Sequence, residues 1–402
     1  MPRPARHITR PKGFQAAGVA CGIKTSGKND LAIIAAETDA ATAIVTTRNQ
    51  LIGAPVAWCR RVLPRGYGKT RGIVINSGCA NTCTGPTGLK NVAAMAKETA
   101  KHLGADPENV LVASTGVIGH RLEMDKVRRG IANAAAKLGT SGDSAALRAI
   151  MTTDTREKSA VVTANIGSRK ATLAGMAKGS GMIAPSMATM IAVITTDAAI
   201  APRLLHKALT HAVDKTFNAI TVDSDTSTSD MVAAFASGLA GNQTITPGTR
   251  PYSAFTKAMV ELCDKLARAV VADGEGATKV FEVLVRGARS QADARTAAKA
   301  VANSPLVKCA IHGADPNWGR IAAALGKSPA KIVPEKLRIR IGGLLVFSGG
   351  TGRKFDLPRV RRHLGGKHIR IACDLGLGQG AYTALGCDLS RQYVTINADY
   401  HT

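Results

Sequence analysis

Apolar residues in this chain come in short blocks whose spacing switches repeatedly between the period of a strand and that of a helix. Residues 31–45, 72–76 and 110–113 are dense in Ile, Val and Ala and predict strands. Residues 85–103 predict a helix, because Val92, Met95 and Ala96 stand at i, i+3 and i+4 on one face and Gly104 follows as a stop. The same reading gives amphipathic helices over 123–138, 203–218 and 252–266. Strands are expected over 170–177 and 190–196, then near 266–273 and over 280–286. From 336 to 374 apolar and basic residues alternate, the pattern of strands with one charged face in solvent. Strands and helices mix without the regular alternation of a doubly wound sheet. The fold class is therefore α+β, with layered sheets and helices. Residues 241–252, rich in Asn, Thr, Pro and Gly, read as a domain joint.

Composition narrows the possibilities. At 402 residues and 45 % apolar content the chain has material for a sizeable core and for two or three domains. No apolar run is long enough to span a membrane, and the basic start, Met1-Pro-Arg-Pro-Ala-Arg-His7, lacks the apolar segment of a secretory signal. A cytoplasmic protein is expected. Eight scattered cysteines form no disulfide framework, and nothing near Cys79 and Cys83 completes a tetrahedral metal set. Buried, reduced thiols and no metal are expected. Lys and Arg outnumber Asp and Glu 53 to 28, a net charge of +25. Such a surplus attracts phosphates, yet aromatics are only 3 % and do not interleave with the basic clusters, so a base-stacking platform is not indicated. A solvated basic surface without a specific nucleic-acid partner is the better reading. Two glycine-rich stretches, Gly66-Tyr-Gly-Lys-Thr70 and Gly376-Leu-Gly-Gln-Gly380, imitate nucleotide loops. The first has Leu63 at the place of the opening glycine, and the second leaves no room for a βαβ unit; both read as tight turns.

The chemistry concentrates in Lys178-Gly-Ser-Gly-Met-Ile-Ala-Pro-Ser-Met-Ala-Thr-Met190. Here a Gly- and Pro-punctuated loop delivers one hydroxyl, Thr189, to the start of an apolar strand. If the Ala188–Thr189 bond broke, the freed α-amine, of pKa about 8, would be a built-in base for the hydroxyl beside it. A buried threonine ending a loop is the alternative at this point.

This run resembles the processing site of the ornithine acetyltransferase family, the glutamate N-acetyltransferases of arginine biosynthesis. The likeness extends through Ala113-Ser-Thr-Gly-Val-Ile-Gly119, Met151-Thr-Thr-Asp-Thr155, Ile220-Thr-Val-Asp223, Asp273-Gly-Glu-Gly-Ala-Thr-Lys279, Asp315-Pro-Asn-Trp-Gly-Arg320 and the closing Ile396-Asn-Ala-Asp-Tyr-His-Thr402. It runs from about Gly13 to the end. The resemblance implies self-cleavage between Ala188 and Thr189, giving an α chain (1–188) with the oxyanion hole and substrate lysine. The β chain (189–402) then carries the nucleophile and a C-terminal substrate-binding tail, and the two assemble as an α2β2 heterotetramer. Thr189 would be the nucleophile, and Thr115 and Gly116 the oxyanion hole. Thr152 (with Thr153 as a near-equal choice), Lys178, Thr189, Glu275, Asn397 and Thr402 would bind substrate. The implied reaction moves acetyl from N2-acetyl-L-ornithine to L-glutamate by a ping-pong route with no cofactor, and acetyl-CoA as a second donor is left open. A related self-processing amidohydrolase or aminopeptidase, with water as acceptor, is the alternative; Lys178 and Glu275 argue against it. The chain departs from the family pattern at Cys79, Ser186, Ser224 and Ser229, where Asn, Asn, Gly and Asn are usual. These positions are expected beside the chemistry.

Overall fold

The computed structural model describes residues 7–183 and 190–399. Thr189, Ala188, Ser186 and Thr402 lie outside the described residues. Among the described residues nine strands come before residue 240: β1 (Phe14–Val19), β2 (Leu31–Thr46), β3 (Tyr67–Cys79), β4 (Val110–Val117), β5 (Lys158–Ile166), β6 (Arg169–Lys178), β7 (Ile191–Thr196), β8 (Ile220–Thr221) and β9 (Met231–Ala236). All but β8 form one sheet in the order β4-β3-β2-β9-β7-β6-β5, with β1 paired to β2. β7 and β9 sit at its centre, parallel and buried at every position. Their sequences, IAVITT and MVAAFA, are near-continuous apolar runs because both faces of the sheet are covered. Odd-numbered residues such as Ile191, Val193 and Phe235 pack into one core together with the helix Gly85–Leu103. Even-numbered ones such as Ala192, Ile194 and Val232 pack into a second core under the helices Pro202–Lys215 and Arg250–Ala272. Helices on both faces make the layered arrangement expected of the sequence.

The remaining strands are β10 (Val280–Ala288), β11 (Arg338–Ile341), β12 (Leu344–Ser348), β13 (Thr351–Gly352), β14 (His368–Asp374) and β15 (Gly380–Cys387). With β8 they form the second sheet, ordered β13-β12-β11-β14-β10-β15-β8. One face packs a third core with the helices Gln291–Ala302, Pro305–His312, Trp318–Gly326 and Leu357–Leu364. β11 and β14 alternate buried Ile339, Ile341, Ile369 and Ile371 with the more exposed Arg338, Arg340 and Arg370. The basic alternation in the sequence is thus a solvated sheet face.

Three expectations are corrected. Residues 266–273 continue the helix Arg250–Ala272 and form no strand, since Leu262, Leu266, Ala267, Val270 and Val271 are buried at helical spacing. A short apolar run carries no period of its own, and the helix before it decides. Between the strands of 336–374 lies the helix Leu357–Leu364, capped by Asp356, whose Oδ1 accepts from the Arg359 N–H at 2.9 Å. The proposed joint at 241–252 connects β9 to the helix Arg250–Ala272, and both belong to the second core. Asn242 Oδ1 accepts from the Ala199 N–H at 2.9 Å and ties this loop to the sheet. Of the two glycine-rich decoys, Gly376-Leu-Gly-Gln-Gly380 bends ahead of β15 (Gly376, φ +64°), whereas in the first only Gly66 (φ +75°) precedes the strand and Tyr67–Thr70 already belong to β3.

The expected cut falls between β6 and β7, adjacent antiparallel strands registered from Lys178↔Ile191 to Leu173↔Thr196. The first sheet therefore draws strands from both sides of residue 188.

Candidate active site

β3 and β4 run parallel, and their ends place Thr115 opposite Ser77 and Gly116 opposite Gly78. At Gly116 the backbone has φ +125°, and a Cβ there would sit 2.4 Å from the Gly78 carbonyl carbon. Only glycine permits this approach. The end of β6 carries Lys178, 2 % exposed, whose Nζ donates to Thr115 Oγ1 at 3.3 Å. Because that hydroxyl accepts from the ammonium, its own O–H is free to donate outward.

Lys178 is held by a buried charge network. Asp154 Oδ1 accepts from Lys158 Nζ at 2.6 Å and from the Gly179 N–H at 2.7 Å, while Oδ2 accepts from the Thr152 N–H at 3.0 Å. One carboxylate thus fixes both the Thr152 loop and the residue after Lys178. Lys158 Nζ also donates to Asp273 Oδ2 at 2.5 Å, and Asp273 receives the Thr155 N–H at 3.0 Å together with the Thr155 hydroxyl. Burial pushes the Asp154 carboxyl up, but the Lys178 and Lys158 ammoniums and the Gly179 N–H outweigh it and hold the pKa at about 2. Burial lowers the Lys178 ammonium from its usual value; Asp154 opposes this and Lys158 adds to it.

Asp273 leads into the loop of Glu275. The Ser180 hydroxyl donates to the Asp273 carbonyl at 2.6 Å and the Glu275 N–H to the Ser180 carbonyl at 3.0 Å, so the 178–183 and 273–277 segments are laced together. Glu275 is 8 % exposed, and its Oε2 accepts from Asn397 Nδ2 at 2.8 Å. Asn397 lies on the last helix, Arg391–Asp399. Gly181 stands against Glu275 so closely that a Cβ would lie 2.4 Å from its carboxylate.

These residues meet around one cleft. Thr115, Gly116, Thr152, Thr153, Lys178, Glu275 and Asn397 line it, joined by Gly181, Met182 and the Ser227–Ser229 turn. Every site position predicted within the described residues is in this wall, including both Thr152 and Thr153. Ser229, expected beside the chemistry, lines the cleft. Unforeseen were Asp154, Lys158 and Asp273. The first and last stand inside motifs that had been noticed, but no sequence feature signals that they share one lysine. Among the described residues no group of three or more His, Cys, Asp and Glu side chains comes together as a metal site. All eight cysteines are free, and five are buried. Among the described residues no helix is long and apolar enough to cross a membrane.

A buried cation, a buried carboxylate and a hydroxyl beside a glycine at a strand end, gathered at one cleft of a layered α+β fold, are the equipment of an enzyme for small charged substrates. The comparisons agree with that class. The chain matches the ArgJ family over residues 15–402 and belongs to it. It is 47 % identical over 400 residues to the arginine biosynthesis bifunctional protein ArgJ of Symbiobacterium thermophilum, covering 98 % of both chains. To the protein of the same name from Bacillus subtilis it is 42 % identical, covering 98 % of this chain and 96 % of that one. Among solved structures it is similar to the arginine biosynthesis bifunctional protein argJ of Bacillus halodurans, with 43 % identity and a TM-score of 0.50, covering 51 % of this chain and 97 % of that one.

Proposed function

We propose that this chain is a glutamate N-acetyltransferase of arginine biosynthesis, moving acetyl from N2-acetyl-L-ornithine to L-glutamate through an acetyl-threonine at Thr189. The observation that carries the reading is the pairing of Lys178 and Glu275 across one buried cleft, with Thr115 bonded to the lysine. An amino acid presents a carboxylate and an amino group, and a buried ammonium facing a buried carboxylate is complementary to that pair. The relatives named for arginine biosynthesis support the same substrate class.

In the proposed reaction the α-amine of Thr189 takes the proton of its own Oγ as Oγ attacks the acetyl carbonyl. The Thr115 hydroxyl and Gly116 N–H donate to the developing oxyanion. Collapse passes the proton to the departing nitrogen and releases ornithine. The glutamate α-amine then attacks the acetyl ester, yielding N-acetylglutamate and restoring Oγ–H. Lys178 holds the substrate carboxylate, and Thr152, Glu275, Asn397 and Thr402 bind its polar groups. No metal or redox cofactor takes part. The amine arises by self-cleavage: Oγ attacks the Ala188 carbonyl, and water opens the resulting ester. The halves stay joined because β6 and β7 pair within one sheet, and an α2β2 assembly in the cytoplasm follows as part of the proposal. The solved Bacillus halodurans chain, which spans about half of this one, supports division into two chains.

The reading is tested by incubating the protein with N-acetylornithine with and without glutamate. Glutamate-dependent ornithine release with matching N-acetylglutamate is expected. Equal release without glutamate would make the chain a hydrolase instead. Acetyl-CoA in place of N-acetylornithine tests the second donor.

A further inference from the structure

The peptide plane that joins Met151 to Thr152 is gripped at both of its ends. Its N–H donates to Asp154 Oδ2 at 3.0 Å, and its carbonyl accepts from Lys24 Nζ at 2.7 Å. A carboxylate thus holds the positive end of the peptide dipole and an ammonium the negative end, and both bonds are charge-assisted. Because the peptide is planar and rigid, fixing both ends fixes the direction in which the chain enters Thr152. The same ammonium donates to the Asn29 carbonyl at 2.8 Å. Met151 also caps the C-terminus of the helix Asp143–Ile150, a place where the helix dipole favours a cation.

Half-buried Lys24 is delivered to this place by a built turn, although Gly22 and residues 25–28 around it are exposed. Asp30, 0 % exposed, accepts four successive backbone N–H groups: Oδ1 from Cys21 at 2.7 Å, and Oδ2 from Gly22, Ile23 and Lys24 at 3.1, 2.7 and 3.0 Å. The Asp30 carbonyl accepts from the Ser77 N–H at 2.8 Å, which locks the turn to β3 at the residue opposite Thr115. The stem of Lys24 then passes Gly78, where a Cβ would lie 3.2 Å from Lys24 Cγ. Burial lowers the Lys24 ammonium to about 8; Asp30 and Asp154 oppose this, and Lys178 and Lys28 add to it. We propose that Lys24 is a positioning residue for substrate binding, holding the Met151 carbonyl so that Thr152 presents its side chain to the cleft. The proposal rests on the reading of this cleft as the ornithine and glutamate site. Thr152 stands in the cleft wall and Lys24 does not, so Lys24 reaches the substrate only through the peptide it holds.

Lys24→Met keeps most of the stem and removes the donor. In the full chain, near neutral pH where the ammonium is charged, ornithine binding is measured by titration calorimetry for the parent, Lys24→Met, Thr152→Val and the double variant. Lys24→Met is expected to raise Kd roughly tenfold or more, the worth of one hydrogen bond to a charged group, and Thr152→Val to do the same. Because both act through one contact, the double variant is expected within about threefold of the weaker single one. A Lys24→Met protein that binds as tightly as the parent overturns the proposal. So does a double variant weaker than either single one by more than about threefold, since a lysine with a merely structural role would act independently of Thr152. Should Lys24→Met fail to fold, Lys24→Ala, which admits water to the two carbonyls, carries the same comparison. A parent that binds no ornithine would overturn the reading of the cleft, and this proposal with it.

Discussion

Lys158 is the keystone of the site, and replacing it tests the network that positions Lys178. Its side chain is 1 % exposed and lies between Asp154 (0 %) and Asp273 (3 %) at 2.6 and 2.5 Å. Lys158→Met keeps most of the volume and leaves two buried carboxylates without their shared cation. Removing one partner of a buried pair costs about 3–5 kcal/mol, because the remaining charge cannot be resolvated. For 402 residues unfolding as one unit this corresponds to roughly 4–6 °C in Tm. The loss reaches the cleft as well, because Asp154 carries the Thr152 and Gly179 N–H groups and Asp273 the Thr155 loop. Urea unfolding should show the midpoint falling at unchanged m, and activity at a temperature where the variant is folded should fall with it. Lys158→Arg, which keeps the charge, should recover part of the stability. A Met variant within about 0.5 kcal/mol of the parent would show that the network contributes nothing and refute this reasoning.

Gly181→Ala sets a methyl group 2.4 Å from the Glu275 carboxylate and is expected to raise KM by displacing that side chain, with the global fold intact; an unchanged KM for both substrates would remove Glu275 from the binding site. Asp154 supplies a pH signature. Its carboxyl is depressed to about 2 in the folded chain against an ordinary value of 3.8, so its contribution of about 2 kcal/mol is present above pH 4 and disappears as pH falls through 2. Acid titration of stability should therefore be steeper in the parent than in Asp154→Asn between pH 4 and 2, and parallel curves would contradict the assignment.

Much of this was legible before any coordinates. The central strand at 191–196 announced itself because a strand buried on both faces is a continuous apolar run, whereas its partner at 231–236, of the same apolar character, was not expected. The helix Gly85–Leu103 was legible from its period and from Gly104, which adopts the left-handed conformation of a helix stop (φ +60°). The same apolar density misled at 266–273, where the helix Arg250–Ala272 simply runs on. Site positions were legible through motifs, and within the described residues they converge on one cleft. What holds them was not. Asp154, Lys158 and Asp273 join residues up to 119 positions apart, and a buried charge network leaves no periodic trace in the chain.

The most direct test of the whole account is the intact mass of the purified protein under denaturing conditions, with Thr189→Ala in parallel. The account predicts two fragments for the parent, residues 1–188 and 189–402, and one uncut, inactive chain for the variant. A parent that transfers acetyl groups as a single chain, or a Thr189→Ala protein that still does so, would contradict it.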